Sequence, residues 1–244
     1  MFYFDDFYGK KVLKSTFLSD YDCFFTTRDF VLTPANRDDL IEEAKLNRQF
    51  LEKKLNNKIT SAKQIHSDNI AKINKENNYY EDTDALISDI ENSILLMNFA
   101  DCVPIILYSK KNNIGAIVHA GWRGTQQEIL RKTVEKMNIS PENITALIGP
   151  SIGKCCFETD KEVFEKLIKD KNQTDLYEEK NNKFFIDLKK INYKQLTKIG
   201  VIDIDVCSYC TCCMSDIFFS YRKEKGITAR HSAIVKIKGD IICQ

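Results

Sequence analysis

Apolar positions recur at helical spacing between Asp38 and Leu55, where Leu40, Ile41, Ala44, Leu51 and Leu55 share one side, and this predicts an amphipathic helix. The same periodicity predicts helices over Gln126–Met137, Lys161–Ile168 and Leu188–Ile199. Short β-branched or aromatic runs lie between them, at Ala85–Ser88, Ile94–Phe99, Val103–Tyr108, Gly115–His119, Ile144–Ile148, Val201–Val206 and Ser232–Ile237, and these read as strands. Two of the runs, ILLMNF and VPIILY, are almost continuously apolar, as expected of strands covered on both faces. The fold expected is mixed α/β, of the α+β class: a layered sandwich of mixed β-sheets covered by helices. No internal repeat and no Gly/Ser- or Pro-rich linker interrupts the chain, so residues 1–244 are expected to form one domain.

Composition narrows the setting. The 36 basic and 35 acidic side chains nearly cancel, leaving no net field that would favour nucleic acid or an anionic membrane. The opening MFYFDDFYGKKVLK lacks the apolar core of a secretory signal, and the stretch from Ile94 to Tyr108 is broken by Asn98 and Asp101 and too short to span a bilayer. A soluble, cytoplasmic protein is expected. Nine cysteines, an odd number without an export signal, point to reduced thiols, some of them able to bind metal.

Candidate chemistry begins with the histidines, of which there are three. His66 in KQIHSDNI and His119 at the end of GAIVH stand at the edges of strand-like runs, and Cys102 in FADCVPII lies between two buried-type strands with Pro104 just after it. Two imidazoles and a thiolate suit zinc with an open fourth position, the arrangement of catalytic rather than structural zinc. Against this stands the plain reading of a small buried Cys and hydrogen-bonded His residues.

The segments KQIHSDNI, DTDALIS, NFADCVPIILY, IVHAGWRGT, IGPSIGKCCFE, CTCC and FFSYRKEKGITAR occur in this order. Together they resemble the YfiH family, also called the laccase-domain or polyphenol-oxidase-like proteins, over nearly the whole chain from FFTTR onward. The resemblance implies that His66, Cys102 and His119 hold a metal, usually zinc, with copper as the alternative ion. It implies purine nucleoside phosphorolysis, with adenosine, inosine and methylthioadenosine as substrates and adenosine deamination as a related activity. Hydrolytic editing of cell-wall peptide precursors is a second activity of the resemblance, and copper-dependent polyphenol oxidation a third. A multicopper oxidase would have only His231 left for its remaining copper ions, which is too few. The expected partners are a small nucleoside and phosphate, with neither nucleic acid nor membrane, and the chain is expected to act as a monomer or weak homodimer.

Zinc deaminases place a carboxylate near the metal to move a proton. Asp68, Asp84, Asp101 and Glu158 are candidates; Glu158 is preferred as acid or base beside Cys102, because Asp101 adjoins a ligand and is expected to face away from the metal. Phosphorolysis needs an anion cradle, and the arginines within the matched segments are Arg48, Arg123, Arg222 and Arg230, whose guanidinium forks suit phosphate. Each has structural ion pairing as its plainer role. GPSIG reads as a turn that could bring backbone N–H groups to an anion, and Trp122 as packing or a purine stack. Two departures from the family pattern bear on substrate breadth: FFTTR is followed by DFVLTPANRDD in place of a glycine-rich loop, and the usual TGR is TAR. The cluster Cys207, Cys210, Cys212 and Cys213 is expected to pack near the active site; the alternative is a second metal site with Cys155 and Cys156 as its other ligand pair.

Overall fold

The structure, a computed structural model, describes residues 1–239. Among these residues sixteen strands form a seven-stranded, a six-stranded and a three-stranded sheet, joined by five α-helices and short 3-10 turns. An N-terminal meander, β1 (Phe2–Phe7), β2 (Lys10–Ser15) and β3 (Cys23–Thr26), leads into α1 (Ile41–Leu55). Next come β4 (Ile59–Ala62), β5 (Ile70–Lys72), β6 (Tyr79–Tyr80), β7 (Ala85–Ser88), β8 (Ile94–Phe99), β9 (Val103–Ser109) and β10 (Ile114–Ala120). Then follow α2 (Trp122–Gln126), α3 (Ile129–Met137), β11 (Thr145–Ile148), β12 (Glu158–Thr159), α4 (Lys161–Leu167), β13 (Tyr177–Lys180), β14 (Lys183–Ile186), α5 (Leu188–Lys198), β15 (Asp203–Val206) and β16 (His231–Lys236).

The large sheets run β1-β2-β3-β16-β8-β4-β6 and β15-β11-β9-β10-β7-β5, and each mixes parallel and antiparallel pairs. Strand periodicity explains the layering, since successive side chains point to opposite faces. Along β8, Leu95, Met97 and Phe99 enter the core between the two sheets, where they meet Ile106, Ile117 and Leu147, while Ile94 and Leu96 face the other way, toward Leu51 and Leu55 of α1. Along β9, Ile105 and Leu107 face the helical side, with Leu130 and Val134 of α3 and Leu196 of α5. The order of layers is therefore α1, seven-stranded sheet, six-stranded sheet and helices, and both ILLMNF and VPIILY are covered on both faces.

The predicted helix from Gln126 differs from the one observed. Glu128 takes a left-handed φ of 57°, which separates α2 from α3. The short strands of the meander and of the β12–β14 sheet had no strand assignment from sequence. Among the described residues no helix is long and apolar enough to cross a membrane.

Candidate metal centre

The centre lies at one end of the six-stranded sheet, where antiparallel pairing brings the start of β9 beside the end of β10. His119 pairs with Pro104 across β10 and β9, and Cys102 immediately precedes β9. The β7 strand lies on the other side of β10, and the His119 amide donates to the Asp84 carbonyl just ahead of β7 at 2.8 Å. His66 comes from the loop after β4. The ligand atoms of His66, Cys102 and His119 all lie within 4.8 Å of one another, and the two imidazoles meet edge-on with centroids 4.8 Å apart.

Asp84 organises this geometry. One carboxylate oxygen accepts from His119 Nδ1 at 2.7 Å and from the His66 amide at 3.0 Å, and the other accepts from the Ser67 amide and hydroxyl, both at 2.7 Å. Those bonds hold the 65–67 loop in place and let His66 keep a left-handed φ of 62°, a conformation costly for a residue with a Cβ. With Nδ1 bonded to the carboxylate, His119 presents Nε2 to a metal, the carboxylate–histidine arrangement that orients metal-binding imidazoles. Gly121 supplies clearance: a Cβ there would stand 3.0 Å from Cys102 Sγ and 3.3 Å from His66 Cδ2.

Charge is arranged around the same atoms. Burial would raise the Asp84 carboxyl, but bonds from His119 and Ser67 outweigh it and hold it at about 2. Burial would likewise raise the Cys102 thiol, yet the neighbouring His119 and His66 bring it down to about 6. His119 is lifted to about 9: burial opposes its charge, and the Cys102 sulfur and Asp84 more than compensate. A thiolate and two imidazoles, with His66 exposed to solvent, fit a borderline-soft divalent ion that retains an open position.

The other candidates stand apart from this group. Asp68 pairs with Lys132. Asp101 adopts φ 87° in the turn before Cys102 and accepts from Thr211 Oγ1 at 2.6 Å and the Arg222 amide at 2.7 Å, so its carboxylate is a strut between loops. Glu158 is exposed on β12, 3.6 Å from Lys183. Arg222 donates to the carbonyls of Cys156 at 2.8 Å and Glu158 at 3.0 Å, which makes it a clamp. Exposed Arg123 lies over the Trp122 ring at 4.3 Å, and Trp122 packs against the helical core. In GPSIG the amides of Gly149, Ile152 and Gly153 donate to Pro104 O, Asp101 O and Cys210 Sγ, so they are not free for an anion.

Arg230 and Arg48 differ from these. Part-buried Arg230 commits Nη1 to the carbonyls of Thr228 and Ala229 at 2.8 and 2.9 Å, and its amide donates to Thr33 O at 3.1 Å. Thr33 and the half-buried Arg48 line one cavity of about 470 Å³. His231 is fully buried between Phe99 and Phe218 at centroid distances of 6.4 and 5.6 Å, and burial pushes it down to about 3, so it stays neutral and outside the cluster. Sequence reading named Asp84 only as a candidate proton-transfer carboxylate and passed over Gly121; the bonds from Asp84 to the His119 ring and the 65–67 loop, and the clearance at Gly121, emerge only from the structure.

The family model described as multi-copper polyphenol oxidoreductase laccase matches residues 31–238. The chain is 36% identical over 181 residues to a purine nucleoside phosphorylase of Clostridium acetobutylicum, covering 71% of this chain and 75% of that protein. It is 31% identical over 188 residues to the purine nucleoside phosphorylase YfiH of Shigella flexneri, covering 77% of each. Among solved structures, YlmD from Geobacillus stearothermophilus superposes with a TM-score of 0.87 at 26% identity, over 97% of this chain and 99% of that one.

Proposed function

Because the chain belongs to the YfiH family, matched by the laccase family model over most of its length, we propose that it is a zinc-dependent purine nucleoside phosphorylase acting on adenosine, inosine or methylthioadenosine. Phosphorolysis breaks the bond between ribose C1′ and the purine nitrogen, forms one from C1′ to a phosphate oxygen, and releases the base with a proton. The observation that carries this reading is the gathering of the His66, Cys102 and His119 ligand atoms within 4.8 Å of one another in a chain 36% identical to a purine nucleoside phosphorylase. Arg48, which lines a cavity of about 470 Å³, and part-buried Arg230 are the guanidinium candidates for a phosphate that must be held and aimed.

Zinc bound by His66, Cys102 and His119 would supply a Lewis acid at an open position. The chain's own residues do the rest: Asp84 fixes the His119 imidazole, and Arg48 on α1 and Arg230 just before β16 bind and orient phosphate. None of the four candidate carboxylates has a free carboxylate at the centre, since Asp84, Asp101, Asp68 and Glu158 each hold other groups. Deamination, which needs such a group to move protons, therefore ranks behind phosphorolysis. Glu158 is set aside as acid or base for the same reason.

Base release from inosine and adenosine, followed with and without phosphate, tests the reading. Release should require phosphate, and Arg48→Lys should raise the phosphate KM about tenfold or more while leaving the nucleoside KM nearly unchanged, because Lys keeps the charge and loses the bidentate geometry. Equal rates with and without phosphate would make the chain a hydrolase.

A further inference from the structure

A second group of soft donors lies outside the centre. The sulfurs of Cys155, Cys156, Cys210 and Cys213 all lie within 4.8 Å of one another, with Cys155–Cys213 and Cys156–Cys213 both at 3.5 Å. Two turns bring them together. In the first, the amides of Cys156 and Phe157 both donate to Gly153 O at 2.9 Å, which turns the adjacent Cys155 and Cys156 back toward the second. The second turn begins at Cys210, which forms a parallel bridge with Ser151, and closes with the Met214 amide on Cys210 O at 2.9 Å.

Hydrophobic packing does not account for the cluster, because Cys155 and Cys213 are exposed. A disulfide does not account for it either: the 3.5 Å separations exceed a sulfur–sulfur bond of about 2.05 Å, and Cys213 is equally close to two partners. An ion about 2.3 Å from four sulfurs at tetrahedral corners would set them about 3.8 Å apart, close to the spacing found. Cys210 and Cys213 have the C-x-x-C spacing of structural zinc sites, and the Gly153 amide donates to Cys210 Sγ at 3.1 Å, a bond that supports a thiolate ligand. Cations offset the charge of the set. Lys154, Lys189 and Lys190 line one cavity with Cys155 and Cys210, and the Arg222 guanidinium sits on the Cys156 carbonyl.

We propose that Cys155, Cys156, Cys210 and Cys213 form a second metal site, an all-sulfur structural zinc site that cross-links the 151–157 and 210–214 turns. Four ligands close its coordination, in contrast to the three-residue centre. The cross-link bears on that centre through one residue. Thr211, next to the ligand Cys210, bonds the Asp101 carboxylate at 2.6 Å and draws its own amide to Ser151 O at 3.1 Å, and Asp101 precedes Cys102. The second ion thereby holds the turn from which Cys102 projects. Cys212 and Cys207 remain free thiols, Cys207 fully buried in the core between the sheets.

Zinc content of protein purified under reducing conditions, with X-ray absorption at the zinc edge, tests this. Wild type should hold about two zinc ions per chain, and Cys213→Ser about one. His66→Ala should also hold about one, and that ion should show four sulfur neighbours at about 2.3 Å with no nitrogen. Should Cys213→Ser fail to fold, the ligand shell in His66→Ala decides alone. Zinc-free His66→Ala, a residual ion with nitrogen ligands, or metal-free protein lighter by the two hydrogens of a disulfide would each overturn the proposal.

Discussion

Asp84 divides one carboxylate between both histidines of the centre, accepting from the His119 ring and the His66 amide. Replacing it with Asn removes the charge that favours a correctly oriented imidazole, and metal affinity should fall about 10–100-fold in a competition titration against a chelator. The pH dependence follows from the same contacts. In the metal-free protein His119 is raised to about 9 and Cys102 lowered to about 6, so between these values the site is an imidazolium beside a thiolate. Metal must displace the His119 proton, and affinity should therefore rise about tenfold per pH unit through this window and level off above it. In Asp84→Asn the plateau should begin at lower pH, because one cause of the raised His119 value is gone; an unchanged profile would mean that Asp84 has no such role. Residue type and strand-edge position marked His66, Cys102 and His119 as candidates, the family resemblance named them as a set, and the structure brings them together. The roles of Asp84, Asp101 and Arg222 were not, because each depends on loop backbone, at φ 62° for His66 and 87° for Asp101, that residue patterns do not encode.

Elements in the middle of the sandwich were the most legible, since two covered faces leave a long apolar signature: the β7 and β8 spans match the sequence reading at both ends. The meander was not, because charges alternate with aromatics in FYFDDFYGKKVLK and the pairing of β1 with β2 is a tertiary fact. The break at Glu128 was hidden for a related reason, a left-handed φ at a residue that is not glycine. Close approach of elements sets a sharper test at Gly149, just after β11, where a Cβ would run into the ring of fully buried Phe25 in β3. Gly149→Ala should destabilise the fold by about 1–3 kcal/mol in denaturant unfolding, the usual cost of overpacking. Adding Phe25→Leu should recover part of that loss relative to Phe25→Leu alone, since the two sites share one contact; strictly additive losses would contradict the geometry.

At the scale of the whole molecule, a two-sheet sandwich with helices outside gathers His66, Cys102 and His119 at one end of its six-stranded sheet. The family description speaks of copper, yet the described His and Cys clusters are one three-ligand set and one all-sulfur set, and the third histidine is buried between phenylalanines. Copper(II) outcompetes zinc at nitrogen and sulfur donors, so copper loading can produce redox activity that belongs to the substituted ion. The decisive measurement is therefore reconstitution of metal-stripped protein separately with zinc and with copper, followed by phosphate-dependent release of purine base and oxygen-dependent oxidation of a phenol on each form. Zinc should restore base release with stoichiometric ribose 1-phosphate and no phenol oxidation, whereas fast phenol oxidation with copper and no nucleoside chemistry with zinc would contradict the phosphorylase reading.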